Sequence, residues 1–96
     1  MTYSFHHEAE AEFVDAIDYY EECENGLGED FSLEINSTIR NILAFPTAWP
    51  TIDGSVRRCL AHRFPFGVLY SIEQNSILIL AVMHLHRHPD YWKKRR

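Results

Sequence analysis

The sequence predicts an α+β fold in the order β-α-α-β-β-β, with a helical hairpin packed on one face of a mainly antiparallel four-stranded sheet. Two stretches in the first half repeat apolar residues at three- and four-residue intervals, the period of amphipathic helices. Three runs rich in β-branched and aromatic residues follow, separated by proline-containing or polar turns. Grouping the helices before the strands, rather than alternating them, favours an antiparallel sheet covered by helices over a parallel α/β design.

The first strand is Thr2 to His6, where Tyr3 and Phe5 alternate with polar residues. From His7 the period changes: Ala9, Phe13, Ala16, Ile17 and Tyr20 line one helical face, while Glu8, Glu12, Asp15, Asp18 and Glu22 occupy the other. Phe13, Tyr19 and Tyr20 read as packing residues. Asn25 and Gly26 end this helix, glycine accepting the left-handed conformation of a C-cap, and Gly28 keeps the following link tight. A second helix is expected to begin near Glu29 or Asp30, whose charges suit the positive end of its dipole. Its stripe is Phe31, Ile35, Ile39, Ile42 and Leu43, and Pro46 marks its end.

Residues 47–55, with Pro50 and Gly54, read as a loop. Strands are expected over Val56–His62, Phe66–Ile72 and Ile77–Met83, with Glu73, Gln74 and Asn75 turning between the last two. The unbroken apolar run of the final strand is the pattern of a central strand covered on both faces.

Ninety-six residues form one domain, 1–96, in which 89–96 is a basic tail. No segment approaches the roughly 20 apolar residues of a membrane span, and Met1 to His7 carries no secretion pattern, so a cytoplasmic location is expected. Cys23 and Cys59 lack metal-ligand spacing and read as reduced, semi-buried thiols. The net charge of −5 conceals an asymmetry, with −10 in residues 1–48 and +5 in residues 49–96. A basic half can meet phosphate or an acidic protein.

Function is expected where the last strand runs into His84, Leu85, His86, Arg87, His88, Pro89, Asp90, Tyr91 and Trp92, a mixture few core-forming segments need. His84, His86 and His88 alternate as metal ligands on a strand would, but Pro89 interrupts the strand and no acid or cysteine completes a set, so neither metal nor cofactor is expected. Arg57 and Arg58 are adjacent and point to opposite faces, so one of them is structural, pairing with the acidic helices. Arg63 is the better surface candidate. Trp92 reads first as a cap on the core and second as a partner anchor. Lys93, Lys94, Arg95 and Arg96 read as a mobile tail, solvated or touching nucleic acid or an acidic partner.

Several runs resemble the RelE/ParE superfamily of small bacterial toxins, and within it the ParE-like, plasmid-stabilisation branch. They are Tyr19-Tyr20-Glu21, Gly26-Leu27-Gly28, Phe45-Pro46, Val56-Arg57-Arg58, and Phe64-Pro65-Phe66 leading to Val68, Leu69 and Tyr70. Ala81-Val82 then leads through His84 and Arg87 to Pro89, Tyr91 and Trp92. The resemblance covers nearly the whole chain. It implies the toxin half of a type II toxin–antitoxin pair, arresting growth when expressed alone and neutralised by a cognate antitoxin.

Two activities descend from this superfamily: RelE-like members cut messenger RNA on the ribosome, and ParE-like members block DNA gyrase without cleavage. Metal-independent cleavage needs a base for the 2′-hydroxyl, a cation for the phosphorane and an acid for the leaving oxygen, roles that His86, Arg87 and Tyr91 would fill. The nucleases commonly carry an arginine just before the run that Val68-Leu69-Tyr70 resembles, where this chain has Gly67. That departure favours inhibition of gyrase by binding, through Arg63, Arg87, Tyr91, Trp92, Lys93 and Lys94, over a nuclease acting on the ribosome and messenger RNA. A non-toxic regulatory or binding module with the same fold is the third reading.

Overall fold

A computed structural model describes residues 1–95; Arg96, assigned above to the basic tail, lies outside them. Among these residues the elements are β1 (Thr2–Phe5), α1 (His7–Cys23), α2 (Leu27–Ala44), β2 (Thr51–Asp53), β3 (Val56–Leu60), β4 (Phe66–Glu73) and β5 (Ser76–His84), followed by a short 3-10 turn at Lys93–Arg95. The strands form a sheet in the order β1-β5-β4-β3-β2. β1 lies parallel to β5, and the other neighbours are antiparallel.

The predicted α+β class and the helical hairpin are both present, but the sheet has five strands rather than four. The addition is β2, inside the segment read as a loop, pairing Thr51 with Arg57 and Asp53 with Val56. Three exposed residues carry no usable periodicity. Their strand exists because contacts from β3 fix the approach: the Arg57 guanidinium donates to the carbonyls of Thr47 (3.2 Å) and Trp49 (2.6 Å), and the Arg58 amide reaches Pro50 O at 3.3 Å. Arg57 is thus the structural arginine, with loop carbonyls in place of the helical acids expected.

The helical stripes read from sequence meet the sheet as predicted. Ala9, Phe31, Ile35, Ile39 and Ile42 pack on Cys59, Val68, Tyr70, Ile77 and Ile79, with Phe13, Ala16, Ile17 and Tyr20 at the margin. Phe31 sits among rings of Phe66, Phe64 and Tyr20 at centroid distances of 4.8, 5.1 and 5.1 Å. A second cluster lies on the other face of the sheet, where Val56, Leu69, Leu80, Ala81 and Met83 are covered by Trp92. β5 is therefore covered on both faces.

The hairpin depends on a close approach. α2 begins at Leu27, two residues before the sequence suggested, behind Gly26 at φ +88°. The Glu21 carboxylate accepts from the amides of Gly26 (2.9 and 3.1 Å) and Gly28 (3.1 Å), supplying a negative charge and acceptors at the N-terminus of α2. A Cβ on Gly28 would lie 2.6 Å from Ile17 O, so a methyl group there separates the helices. Of the cysteines, Cys23 is exposed and Cys59 is buried, so semi-burial describes neither. Burial pushes the Cys59 thiol up to about 11.

Two outcomes follow. Gly28→Ala is expected to destabilise the protein by about 1–3 kcal/mol despite alanine's better helix propensity, measured by urea unfolding. Because the folded Cys59 pKa is raised, its contribution is present below the unfolded value of 9.0 and is lost as pH rises through about 11. Cys59→Ala should flatten the decline of stability over that window, and a thiol reagent should label Cys23 in the native protein but Cys59 only on unfolding.

Candidate functional site

The site grows from a mismatch in strand length. β1 pairs with β5 only as far as Phe5 opposite Ile79, and α1 leaves immediately, while β5 continues to His84. β5 also carries a bulge: Leu69 faces Ala81 but Tyr70 faces Ile79, leaving Leu80 unopposed. Backbone groups beyond Ile79 therefore meet no strand on the β1 side. Two side chains take its place. Glu12 Oε1 accepts from the Val82 amide at 3.0 Å, and Arg95 Nη1 donates to Leu80 O at 3.0 Å.

The two side chains also bind each other through paired 2.9 Å bonds, Nη1 to Oε1 and Nη2 to Oε2. The Arg95 side chain is 8% exposed and that of Glu12 15%. Such a fork-to-fork pair in a dry setting is stronger than an exposed one. The Glu12 contact leads the causes that raise the Arg95 pKa above its ordinary value. The last described residue of a segment read as a mobile tail is thus anchored, because its charge meets a helical acid where the sheet edge needs a donor. Glu12, read as solvent-facing, is the other half of that anchor.

Between α1 and the end of β5 lies a cleft of about 490 Å³. Glu12, Asp15, Tyr19 and Tyr20 form its helical wall; Val82, His84, Arg87 and Tyr91 form the other, with Phe66 also lining it. The guanidinium carbons of Arg87 and Arg95 lie over the Tyr91 ring, 4.0 and 4.8 Å from its centroid. Burial, and then the Glu12 carboxylate, raise the Tyr91 pKa above the usual phenol range. The Tyr91 hydroxyl is buried and makes no geometrically sound hydrogen bond among the described residues, although the Glu12 carboxylate is near enough to act on its pKa.

Turns built on histidine position this segment. His84 Nδ1 accepts from the His86 amide at 3.0 Å, and His88 Nδ1 from the Asp90 amide at 3.2 Å. Arg87 and Tyr91 are the predicted candidates brought together at the cleft. His86 is exposed, stacked edge-on against His84 at 5.1 Å, and does not line it. Arg63 is elsewhere, exposed beside Asp30 at 3.6 Å and over Phe64 at 5.4 Å. Trp92 is 2% exposed, with its indole N–H donating to Pro89 O at 2.6 Å, so it caps the core and offers a partner no free surface in this conformation. Lys93 bridges Asp90 (3.1 Å) and Asp53 (3.7 Å), and Lys94 is exposed.

Sequence reasoning missed Glu12, Asp15 and Tyr19 as cleft residues. Tyr19, expected to pack, is 63% exposed. The adjacent pair Tyr19-Tyr20 was the available signal, because neighbouring helical positions point about 100° apart and both rings cannot face one core. His6, His7 and Glu8 also gather, with ligand-type atoms within 4.8 Å of one another. There His6 Nδ1 already accepts from the Glu8 amide and Glu8 lies 3.7 Å from Arg95. Across the molecule, Glu34, Thr38, Asn41, Trp49, Arg58 and His62 help line a second cleft of about 410 Å³.

Two helices on a mixed sheet, with a charged and aromatic cleft at the end of β5, define a small α+β domain. The family model for the ParE toxin of type II toxin–antitoxin systems, parDE, matches residues 3–89, and the chain belongs to that family. Its fold is similar to a chain from a solved structure described as the chromosomal ParDE toxin–antitoxin system from P. aeruginosa, with a TM-score of 0.63 and 17% identity over 88% of this chain and 95% of that one. No curated protein matches the sequence. Among the described residues, no helix is long and apolar enough to cross a membrane.

Removing one partner of the buried pair strands the other charge. Glu12→Ala is expected to cost about 3–5 kcal/mol, against at most about 1 kcal/mol for Asp30→Ala at the exposed Arg63 pair, both measured by chemical denaturation.

Proposed function

We propose that this chain is a toxin that inhibits DNA gyrase by binding it, that it acts in the cytoplasm, and that a cognate antitoxin holds it silent. The observation that carries this reading is the match to the ParE toxin family over residues 3–89. Arg87 is the residue most suited to the target contact: it is exposed, its guanidinium is held over Tyr91, and it stands at the mouth of the cleft. Lys94 and Arg63 add exposed cations to the basic half.

The geometry favours binding over cleavage. A general base, a cation and an acid must converge on one phosphate. His86 lies outside the cleft that Arg87 and Tyr91 share, and the Tyr91 hydroxyl is buried. Gly67 further separates the chain from the nuclease pattern. Its place on β4 faces the Arg58 stem, which a Cβ at position 67 would approach to 3.1 Å, so an arginine there has no room without moving Arg58.

Purified protein should abolish supercoiling by gyrase and leave ribosome-bound messenger RNA intact. Arg87→Ala should weaken that inhibition by about tenfold or more, the loss expected of a charged contact worth at least ~1.4 kcal/mol. Codon-linked cleavage without an effect on gyrase would replace this reading with the nuclease.

A further inference from the structure

β3 has an uncovered edge of its own, far from Glu12 and Arg95. The Ala61 amide donates to Phe66 O at 2.9 Å, so by strand alternation the amides and carbonyls of Arg58 and Leu60 point away from β4, toward α2 and the loop before β2. β2 begins only at Thr51, behind Pro50. The Arg58 amide reaches Pro50 O at 3.3 Å, but proline has no N–H to return a bond to Arg58 O. Further along the same edge the His62 amide is taken by Glu34 Oε2 at 2.6 Å. Between these two points the Arg58 carbonyl, the Leu60 amide and the Leu60 carbonyl have no partner among the described residues and face solvent.

These three groups open onto the second cleft, of about 410 Å³. A single stripe of α2, Glu34, Ser37, Thr38 and Asn41, forms its polar wall, and the half-buried Trp49 supplies an aromatic one. Arg57 donates to Trp49 O at 2.6 Å, so the loop bearing that ring is fixed from β3. The Arg58 stem lies over Gly67, where an added Cβ would come within 3.1 Å of Cδ, so its side chain turns toward β4 while its backbone faces the cleft. A concave site of this size, with a few convergent polar groups beside an aromatic surface, suits a small ligand.

The open groups come in a fixed order, acceptor, donor, acceptor, along about 7 Å of strand. Pro50 closes one end and the Glu34–His62 bond closes the other, which leaves too few positions for an added peptide strand. A flat heterocycle matches that length. Adenine presents an N6–H donor, then the N1 acceptor, then a C2–H, which complement Arg58 O, Leu60 N–H and Leu60 O in that order. Guanine sets its O6 acceptor where the Arg58 carbonyl needs a donor. We propose that this cleft binds adenosine, with the base on the edge of β3 and its ring against Trp49. The ribose hydroxyls lie toward Asn41 and toward Glu34 Oε1, the carboxylate oxygen that the His62 and Arg63 amides do not use. A carboxylate in this wall favours the uncharged nucleoside over its phosphates.

The test titrates the full chain with adenosine and follows backbone amide and indole N–H resonances by NMR. Saturable shifts at the Leu60 amide and the Trp49 indole, with a Kd of about 1 mM or tighter, are expected. N6,N6-dimethyladenosine keeps the ring and loses the donor, so it should bind at least about tenfold more weakly, as should guanosine, and AMP should bind no more tightly than adenosine. Leu60→Pro removes the one donor on this edge at a position where the N–H serves no other bond, and should weaken binding by about tenfold or more. A Kd weaker than about 1 mM, equal binding of the dimethylated base or of guanosine, tighter binding of AMP, or affinity unchanged by Leu60→Pro would each overturn the proposal. Should Leu60→Pro fail to fold by circular dichroism, Ser37→Trp, which fills the cleft from an exposed helical position, faces the same comparison. The readout is nucleoside binding at β3, so it stands or falls apart from gyrase inhibition.

Discussion

β1 is too short to cover β5, and much of this structure answers that shortfall. A strand edge inside a folded protein must find partners for its amides and carbonyls, because leaving them dry and unpaired costs on the order of 1–3 kcal/mol each. α1 begins as soon as β1 ends and passes over the sheet near the uncovered stretch, bringing Glu12 within 3.0 Å of the Val82 amide. A carboxylate in that place demands a cation, and Arg95 returns from the C-terminus to provide one. The return path carries Trp92 across the second face of the sheet and sets Tyr91 under Arg87. Edge satisfaction, the second apolar cluster and the orientation of the candidate contact residue are thus consequences of one pairing.

The helical hairpin supplies the opposing wall and must stay rigid for the cleft to keep its shape. Gly28 lets α2 approach the Ile17 carbonyl, and Glu21 fastens the start of α2 to α1. The aromatic group around Phe31 then ties both helices to Phe64 and Phe66 at the start of β4. Tyr20 belongs to this group, while Tyr19 is turned outward onto the cleft. One pair of identical neighbours divides between core and surface according to helical geometry.

The fold was legible because its signals are local and repetitive. Phe31, Ile35, Ile39 and Ile42 recur at helical spacing, and Ile77 to Met83 form an unbroken apolar run, so the stripe of α2 and the central strand could be read directly. β2 was not legible, since three exposed residues become a strand only when Arg57 and Arg58 hold the preceding loop. The candidate site was half legible. Arg87 and Tyr91 lie in a segment whose composition suits no core, but Glu12 looked like one more acid on a polar helical face, and Arg95 like one more cation in a terminal run.

By itself the sequence determined the periodicity of the elements, their order and the opposite charge of the two halves, because these follow from side-chain spacing and composition along the chain. Tertiary structure alone decided which acid meets which base. Eighty-three positions separate Glu12 from Arg95, and nothing local distinguishes either from its neighbours. Their selection depends on where β1 stops, where β5 bulges and how the C-terminal turn folds back, so the pair is fixed by the geometry of an uncovered strand edge.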